Sequence, residues 1–274
     1  MIWSIRHILG DFKTYDRPVK FALISGGILL LVALGFVLWG DPSMRSPILV
    51  GAGLIFIVMQ IAIMFANRHM IADYSKAQRA FLSGDMTLAR NLLEGHLPKT
   101  KLNSLDQLRT LTLLGNTYRQ LGMLSESHSI LYEAVDKAPK NHFARYGFGR
   151  TLLMMGEFDL AVEAFQTALE LGAPSGVNLD IAEAQYLKED IPQAVRALNE
   201  VSEHVFTQPE AYRTLMRDYL LFKLCDAPPP SMHVLEMGLP YWEATLQRFQ
   251  ATPYVQVLEK DVAHMRQLHL IEAN

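Results

Sequence analysis

The sequence predicts an all-α protein: a hairpin of two transmembrane helices, then an α-solenoid of helix pairs, then helices that cap the C-terminal end of the solenoid. Three observations support this fold class. The apolar share of 50% is unevenly distributed, because apolar residues concentrate before residue 70. Two long uncharged runs lie in that part of the chain, and helix-turn-helix signals recur at a regular spacing after it.

The two uncharged runs occupy 21–39 and 47–66. Their 19 and 20 residues match the roughly 20 that a helix needs to cross the hydrocarbon core of a membrane. Only residues 40–46 separate the runs, so we expect a tight turn and a transmembrane hairpin over 21–66. Two alternatives fit less well. A cleaved signal peptide has a shorter apolar core that ends at small residues, and a small soluble core needs no pair of runs this long.

Lysine and arginine residues flank the hairpin on the side of its two ends. Arg6, Lys13, Arg17 and Lys20 precede the first run, Arg68, Lys76 and Arg79 follow the second, and the turn carries Arg45 alone. Because basic residues favour the cytoplasmic face, segment 1–20 and the C-terminus are both predicted to be cytoplasmic. The chain is therefore predicted to be a two-span protein of the cell membrane. Small residues four apart in the runs would let helices approach closely, which leaves homo-oligomerisation open.

The part of the chain after residue 70 is acidic. Its 19 basic and 25 acidic side chains give a net charge of −6 with histidine neutral. Nucleic-acid binders usually carry the opposite sign, because phosphate contacts supply much of their affinity, so nucleic acid is not an expected partner. The single cysteine, Cys225, cannot form an intramolecular disulfide or a four-cysteine metal site. We expect no metal and no cofactor.

Self-similarity with a period of about 34 residues begins at Leu108. Equivalent positions of the two clearest copies hold Gly115 and Gly149, Gly122 and Gly156, and Ala134 and Ala168. The first glycine of each copy is predicted to lie where two helices of a pair meet, since a side chain there would hold the backbones apart. The second is predicted to end the first helix, where a positive φ is needed. Weaker copies lie around Gly84 and around Asp190, and the turn glycine is absent from the latter.

These residues resemble the tetratricopeptide repeat, in which small residues stand where two helices cross and large apolar residues stand beside them. The resemblance covers about 70–204, half of the chain, and implies a right-handed solenoid that is predicted to extend over 70–226. The compact hairpin and the lack of a recognisable organelle address indicate a membrane-anchored bacterial type.

The C-terminal part, 227–274, is predicted to cap the solenoid. A helical apolar pattern over 208–225 is followed by three prolines, 228–230, which exclude helix and indicate a bend. Two further helices are predicted over 241–250 and 253–270. The end of a solenoid must be covered by an element that is apolar inside and polar outside, which is the expected role of these helices.

The sequence contains no HExxH, GxSxG, Walker or paired-cysteine motif, so an enzyme is not expected. The resemblance implies instead a concave groove that the first helix of each pair lines and that binds another protein. Groove positions carried over from the family are Arg109, Asn116, Arg119, Tyr146, Arg150, Glu183 and Tyr186. Arginine forks match carboxylates and tyrosines offer flat contact area, so an acidic or C-terminal peptide segment is the expected ligand.

Alternatives stay open for these residues and for the function. Arginines and tyrosines on a helical face are often solvated or paired with acids of the same chain, without a role in binding. The leading hypothesis is a membrane-anchored scaffold or adaptor that binds a protein through the groove. The other hypothesis is a structural assembly subunit that contacts a larger membrane complex mainly through its hairpin. A catalytic C-terminal part would need chemistry that no motif indicates.

Overall fold

The computed structural model describes residues 68–201 and 211–272 continuously, together with isolated positions in the two uncharged runs. Those positions are 24–26, 28, 29, 31, 32, 35, 47, 50, 51, 53, 54 and 57. Over these ranges the chain forms α-helices and a short 3₁₀ helix, without a strand. The chain divides into two compact units, Met1–Thr110 and Leu111–Asn274.

Most of the predicted hairpin, 21–39 and 47–66, lies outside the described residues, as does the predicted N-terminal segment 1–20. The described positions within the two runs are helical. In the part of the chain that the structure describes, no helix is both long and apolar enough to cross a membrane.

The described helices of the first unit are α1 (Arg68–Leu82), α2 (Met86–His96) and the start of α3 (Leu105–Gln120). A 3₁₀ turn, Leu97–Lys99, follows α2. Helices α1 and α2 pack against each other, and the Asp85 side chain caps α2 by accepting a hydrogen bond from a backbone N–H of its first turn. The upstream repeat copy is thus a helix pair.

The second unit continues with the end of α3 and a series of helices in pairs. These are α4 (Leu124–Lys137), α5 (His142–Met155), α6 (Phe158–Glu170), α7 (Val177–Leu187), α8 (Ile191–Asn199), α9 (Ala211–Cys225), α10 (Met232–Arg248) and α11 (Pro253–Glu272). Helices α3 and α4, α5 and α6, and α7 and α8 are the other three pairs that the repeat pattern predicts, after the α1–α2 pair. The core of the last two of these pairs, α5–α6 and α7–α8, is continuous with that of α9 to α11.

Two glycines allow the helices of a pair to meet closely, as the sequence predicts. A Cβ added to Gly115 would lie 2.4 Å from Cγ of Leu131 in α4, and one added to Gly149 would lie 2.7 Å from Phe165 in α6. Both distances are far below van der Waals contact, so a larger residue would force the pair apart. The equivalent contacts of the two glycines confirm that the two copies share one packing geometry.

The turn that ends the first helix of each copy has a positive φ. Gly122 and Gly156 have φ of +77° and +86°, which confirms the predicted helix ends. The next copy has no glycine there, and Glu189 takes φ of +65° instead. The following Asp190 side chain caps α8 by accepting from the backbone N–H of Gln193.

The C-terminal helices contact the repeat helices at more than one place. Helix α9 packs against α8, but α11 packs against α5 and α7, the first helices of two pairs. Tyr254, Leu258, Val262 and Met265 are each no more than 1% exposed and form one stripe along α11. Burial of that stripe explains why α11 runs along the repeat helices instead of only covering the last one.

Helix α10 begins at Met232, upstream of the predicted start of a helix at residue 241. The difference arises because Pro240 lies inside the helix, although a proline usually precedes or opens one. The three prolines at 228–230 lie between helices, as predicted, in the non-helical link from α9 to α10.

Candidate functional site

An ionic network occupies the inner faces of α5 and α7, where the sequence places groove residues. We call it the Asp180 network; its members are Tyr146, Arg150, Asp180, Glu183, Arg213 and Tyr254. Arg150 and Asp180 are only 6% and 1% exposed. Charged side chains buried to this degree are stable only when they are paired, so the partners of each group decide what the network can do.

Asp180 holds an arginine on each carboxylate oxygen. Arg150 Nη1 lies 2.6 Å from Oδ1, and Arg213 Nη2 lies 2.8 Å from Oδ2. Burial opposes ionisation of Asp180, but Arg213 and Arg150 outweigh it, so the pKa of Asp180 lies below its usual value. Helices α5, α7 and α9 each supply one of these side chains. The network therefore ties α9 to the repeat helices.

Glu183 extends the network to α11. Its Oε1 accepts a 2.6 Å hydrogen bond from the hydroxyl of Tyr254, and its Oε2 lies 3.5 Å from Arg150 Nη1. Glu183 is 2% exposed and Tyr254 is fully buried. Burial raises the pKa of Glu183, although Arg150 opposes the rise. Asp180 is therefore the main partner that neutralises Arg150.

The hydroxyl of Tyr146 completes the network. It donates to Asp180, at 3.3 Å from Oδ2, and accepts a 3.1 Å hydrogen bond from Arg213 Nη1. Burial and the negative charge of Asp180 both raise the pKa of Tyr146. Tyr146, Arg150 and Glu183, all predicted to meet a partner, thus each have at least one polar atom bonded within the chain.

A second group of polar side chains, the Asp261 cluster, lies where α7, α9 and α11 meet. Asp261 is 2% exposed and accepts 2.9 Å hydrogen bonds from the hydroxyls of Tyr186 and Tyr219. The amino group of Lys223 contacts the same carboxylate and pairs with it. Burial and the charge of Asp261 raise the pKa of Tyr219. Tyr186, another predicted groove residue, is therefore also held by a C-terminal helix.

Arg119 differs from Arg150 because its hydrogen bonds go to neutral acceptors. Its Nη1 donates to Oδ1 of Asn116 at 2.7 Å and to the carbonyl oxygen of Gly147 at 3.1 Å. Burial and the like charge of Arg150 lower the pKa of Arg119 to about 10, so it remains cationic at neutral pH. Arg119 and Asn116 are both partly exposed. These two side chains therefore form a partly accessible basic site.

The structure separates the seven predicted groove residues into distinct settings. Tyr146, Arg150 and Glu183 belong to the Asp180 network and Tyr186 to the Asp261 cluster, whereas Asn116 and Arg119 bond to each other. Arg109 is exposed and belongs to the first unit. Arg150 therefore fits the alternative that a groove arginine pairs with acids of its own chain. Binding of a partner protein by the seven residues stays a prediction.

Six residues of these clusters were not predicted from the sequence: Asp180, Arg213, Tyr219, Lys223, Tyr254 and Asp261. Asp180 had a usable signal, because it lies three residues before Glu183 and so shares a helix face with it. The other five come from α9 and α11, which follow the repeats. The repeat period carries no information on where those helices pack.

Comparison with known proteins agrees with the repeat pattern. No protein-family model matches the chain. Tetratricopeptide repeat protein 7A of Homo sapiens is 30% identical over 122 residues, which are 44% of this chain and 14% of that protein. The chain thus spans a small part of this curated relative. The match, the helix pairs and the glycine contacts together identify an all-α, tetratricopeptide-like helical repeat.

Solved structures with similar helix arrangements include MamA MSR-1 C2 and a putative kinesin light chain of Podosopora anserina. The TPR-like repeats of the second protein are nearly identical to one another. The first is 15% identical with a TM-score of 0.42, covering 72% of this chain and 98% of that one. The second is also 15% identical, with a TM-score of 0.47, covering 72% of this chain and 95% of that one.

Proposed function

We propose that this chain is a membrane-anchored, non-enzymatic scaffold that binds another protein through the first helices of its tetratricopeptide-like pairs. The observation that carries the proposal is the repeated close packing of helix pairs, with Gly115 and Gly149 at equivalent contacts of successive copies. In stacked repeats of this kind, each helix pair contributes side chains to one continuous face, and such a face is suited to binding an extended segment of another protein.

Membrane anchoring is supported by the two uncharged runs and by the exposure of their described side chains. Leu31 is 70% exposed, Val50 60% and Leu54 59%. Large apolar side chains that a protein core does not cover are suited to hydrocarbon. With basic residues on the outer flanks of both runs, the chain would have its termini in the cytoplasm and the repeats at the cytoplasmic face of the cell membrane.

Anchoring would add to binding without adding contacts. A scaffold and a partner that share one membrane meet at a raised effective concentration, so a modest groove affinity is sufficient. The side chains left for such a partner are those that the C-terminal helices do not engage. Phe143 is 65% exposed near the start of α5, and Asn116 and Arg119 are partly exposed on α3.

One observation favours the second candidate, an assembly subunit that contacts a larger membrane complex mainly through the hairpin. Helix α11 covers α5 and α7, and it engages Glu183 and Tyr186, so much of the inner face is already occupied by the chain itself. An assembly subunit needs no open groove. The two candidates therefore differ in whether exposed residues of the first helices matter for recruitment.

Affinity purification of the intact chain from its host membranes tests the leading proposal. Phe143→Asp alters an exposed side chain of a first helix, and Tyr132→Asp makes the same kind of change at a 59% exposed position of α4, a second helix. The scaffold proposal expects a co-purifying protein to be lost with Phe143→Asp and kept with Tyr132→Asp. Retention of the same proteins by both variants would argue for assembly through the hairpin.

A further inference from the structure

The loop between α2 and α3, residues 97–104, displays a large apolar side chain beside two cations. Leu102 is 81% exposed, more than the 70% of Leu31 in the first uncharged run. Lys99 and Lys101 precede it and are exposed as well. A leucine flanked by lysines suits the boundary between lipid headgroups and acyl chains, where the leucine leaves water and the ammonium groups meet phosphates.

Hydrogen bonds give the 97–104 loop a defined backbone around Leu102. The N–H of Ser104 donates to the carbonyl oxygen of Lys101 at 3.1 Å, and the N–H of Asn103 donates to Oε1 of Gln107 at 2.7 Å. Ser104 and Gln107 are only 3% and 7% exposed. The end of the loop is therefore anchored in the first unit, and the leucine projects from an ordered segment.

The 97–104 loop lies beside the start of α1, close along the chain to the proposed membrane anchor. Lys99 Nζ is 3.7 Å from Oδ2 of Asp73. Helix α1 begins at Arg68, two residues after the second uncharged run ends at Ala66. Two residues span at most about 7 Å and the five-residue rise to Asp73 adds about 7.5 Å, whatever the direction of α1. The loop is therefore within reach of a membrane that the run enters.

Charge is divided unevenly along the chain after the second uncharged run. Segment 68–104 carries six Lys or Arg against three Asp or Glu, a net charge of +3 with histidine neutral. Segment 105–274 carries 14 against 22, a net charge of −8. The anionic lipids of a cytoplasmic leaflet attract the first segment and repel the second. The short connection to the run favours lipid over an acidic protein as the partner of the loop.

We propose that the 97–104 loop docks on an anionic lipid surface, with Leu102 entering the boundary of the acyl chains and Lys99 and Lys101 contacting lipid phosphates. The proposal rests on the proposed membrane anchoring and goes beyond it, because it adds a second membrane contact outside the uncharged runs. The pair of Lys99 with Asp73 does not prevent this contact. Both side chains are exposed, at 68% and 37%, and a surface pair of this kind is weak enough for Lys99 to exchange its partner.

Fluorescence of the full chain in vesicles of phosphatidylcholine and phosphatidylglycerol tests the inference. In a Cys225→Ser background, Leu102→Cys and Leu82→Cys each carry an environment-sensitive fluorophore. Leu82 is the matched control, because it is 75% exposed and lies at the other end of α1, about 21 Å from Arg68 along the helix. The label at 102 should show blue-shifted emission and quenching by lipids with a nitroxide in the acyl chain. The label at 82 should keep an aqueous spectrum.

The contribution of charge is measured with the same label at 102. Replacing Lys99 and Lys101 by glutamine should lower the ratio of lipid-quenched to aqueous label by about fivefold for each lysine. Vesicles of phosphatidylcholine alone should show a similar loss. Lys140→Gln removes an exposed lysine from the link between α4 and α5 and should leave the ratio unchanged.

The outcomes separate the loop contact from the anchor. Loss of the wild-type chain from floated vesicles after an alkaline carbonate wash would count against the proposed anchor itself. A chain that resists the wash but has the same spectrum at 102 and 82 would overturn the loop contact alone. A blue shift at 102 without nitroxide quenching would show a protein contact and would also overturn it. If circular dichroism shows that labelled Leu102→Cys is unfolded, the label at Lys101→Cys decides by the same quenching.

Discussion

Replacement of Asp180 by asparagine is expected to destabilise the second unit strongly. The carboxylate is 1% exposed and pairs with Arg150 and Arg213, which are themselves largely buried. Asparagine keeps the shape of the side chain but removes its charge. Among the described residues, the carboxyl group left beside the buried Arg150 guanidinium would be that of Glu183, whose nearest oxygen lies 3.5 Å from Nη1.

The size of the effect follows from the burial of the pair. Removing one partner of a buried ion pair costs about 3–5 kcal/mol, because an uncompensated charge is left behind. For a unit of this size that corresponds to a fall in Tm of roughly 6–20 °C. The control is Asp159→Asn, since Asp159 is 84% exposed and pairs with Lys188 at the surface. Such a surface pair contributes about 1 kcal/mol or less.

Urea and thermal unfolding of the full chain, followed by far-ultraviolet circular dichroism, measures both variants. Addition of Arg150→Met to Asp180→Asn should restore part of the lost stability, since it removes the buried cation of α5 that has lost its main partner. A change in the free energy of unfolding below about 1 kcal/mol for Asp180→Asn, equal to that of Asp159→Asn, would refute the view that the network holds α5, α7 and α9 together.

Three further predictions concern packing, pH and topology. Gly115→Ala should lower the free energy of unfolding by about 1–3 kcal/mol, since the added Cβ would overlap α4. The control Gly95→Ala has open space around it and should leave the free energy of unfolding unchanged or raise it by up to about 1 kcal/mol. Equal effects of the two variants in urea unfolding would contradict the close contact between α3 and α4. Burial raises the folded-state pKa of Glu183 above the ordinary glutamate value of 4.5. The wild type should therefore lose stability relative to Glu183→Gln as the pH rises above 4.5. A difference in unfolding free energy between the two proteins that does not change with pH would contradict this. Ser43→Cys, in a Cys225→Ser background, should react with a membrane-impermeant maleimide applied outside intact cells, whereas Cys225 of the wild type should not; labelling of Cys225 alone would contradict the predicted topology.

The repeat helices could be predicted from the sequence because their determinants are local and periodic. Gly115 and Gly149 indicate close helix contact, and Gly122 and Gly156 indicate turns, since each role excludes most other residues. The copy around Asp190 lacks the turn glycine, and Glu189 takes the positive φ there instead. Such local constraints can be recognised from the residue type at a single position.

The arrangement of the charged residues could not be predicted in the same way. The contacts of Arg150 and Tyr186 depend on α9 and α11, whose packing is set by apolar stripes with no repeat period to place them. The position of Arg150 in the repeat indicates that its side chain faces inward. That position does not show that Asp180 and Arg213 lie beside Arg150 in the folded chain.

Site-specific photo-crosslinking in intact cells tests the scaffold proposal most directly. A photoreactive residue at Phe143 probes the exposed part of a first helix, one at Tyr132 probes a second helix, and one at Ser43 probes the predicted turn of the hairpin. We expect one discrete protein, identified by mass spectrometry, to be crosslinked at Phe143 and not at Tyr132. Crosslinks to protein only at Ser43, with none at Phe143, would contradict binding through the repeats.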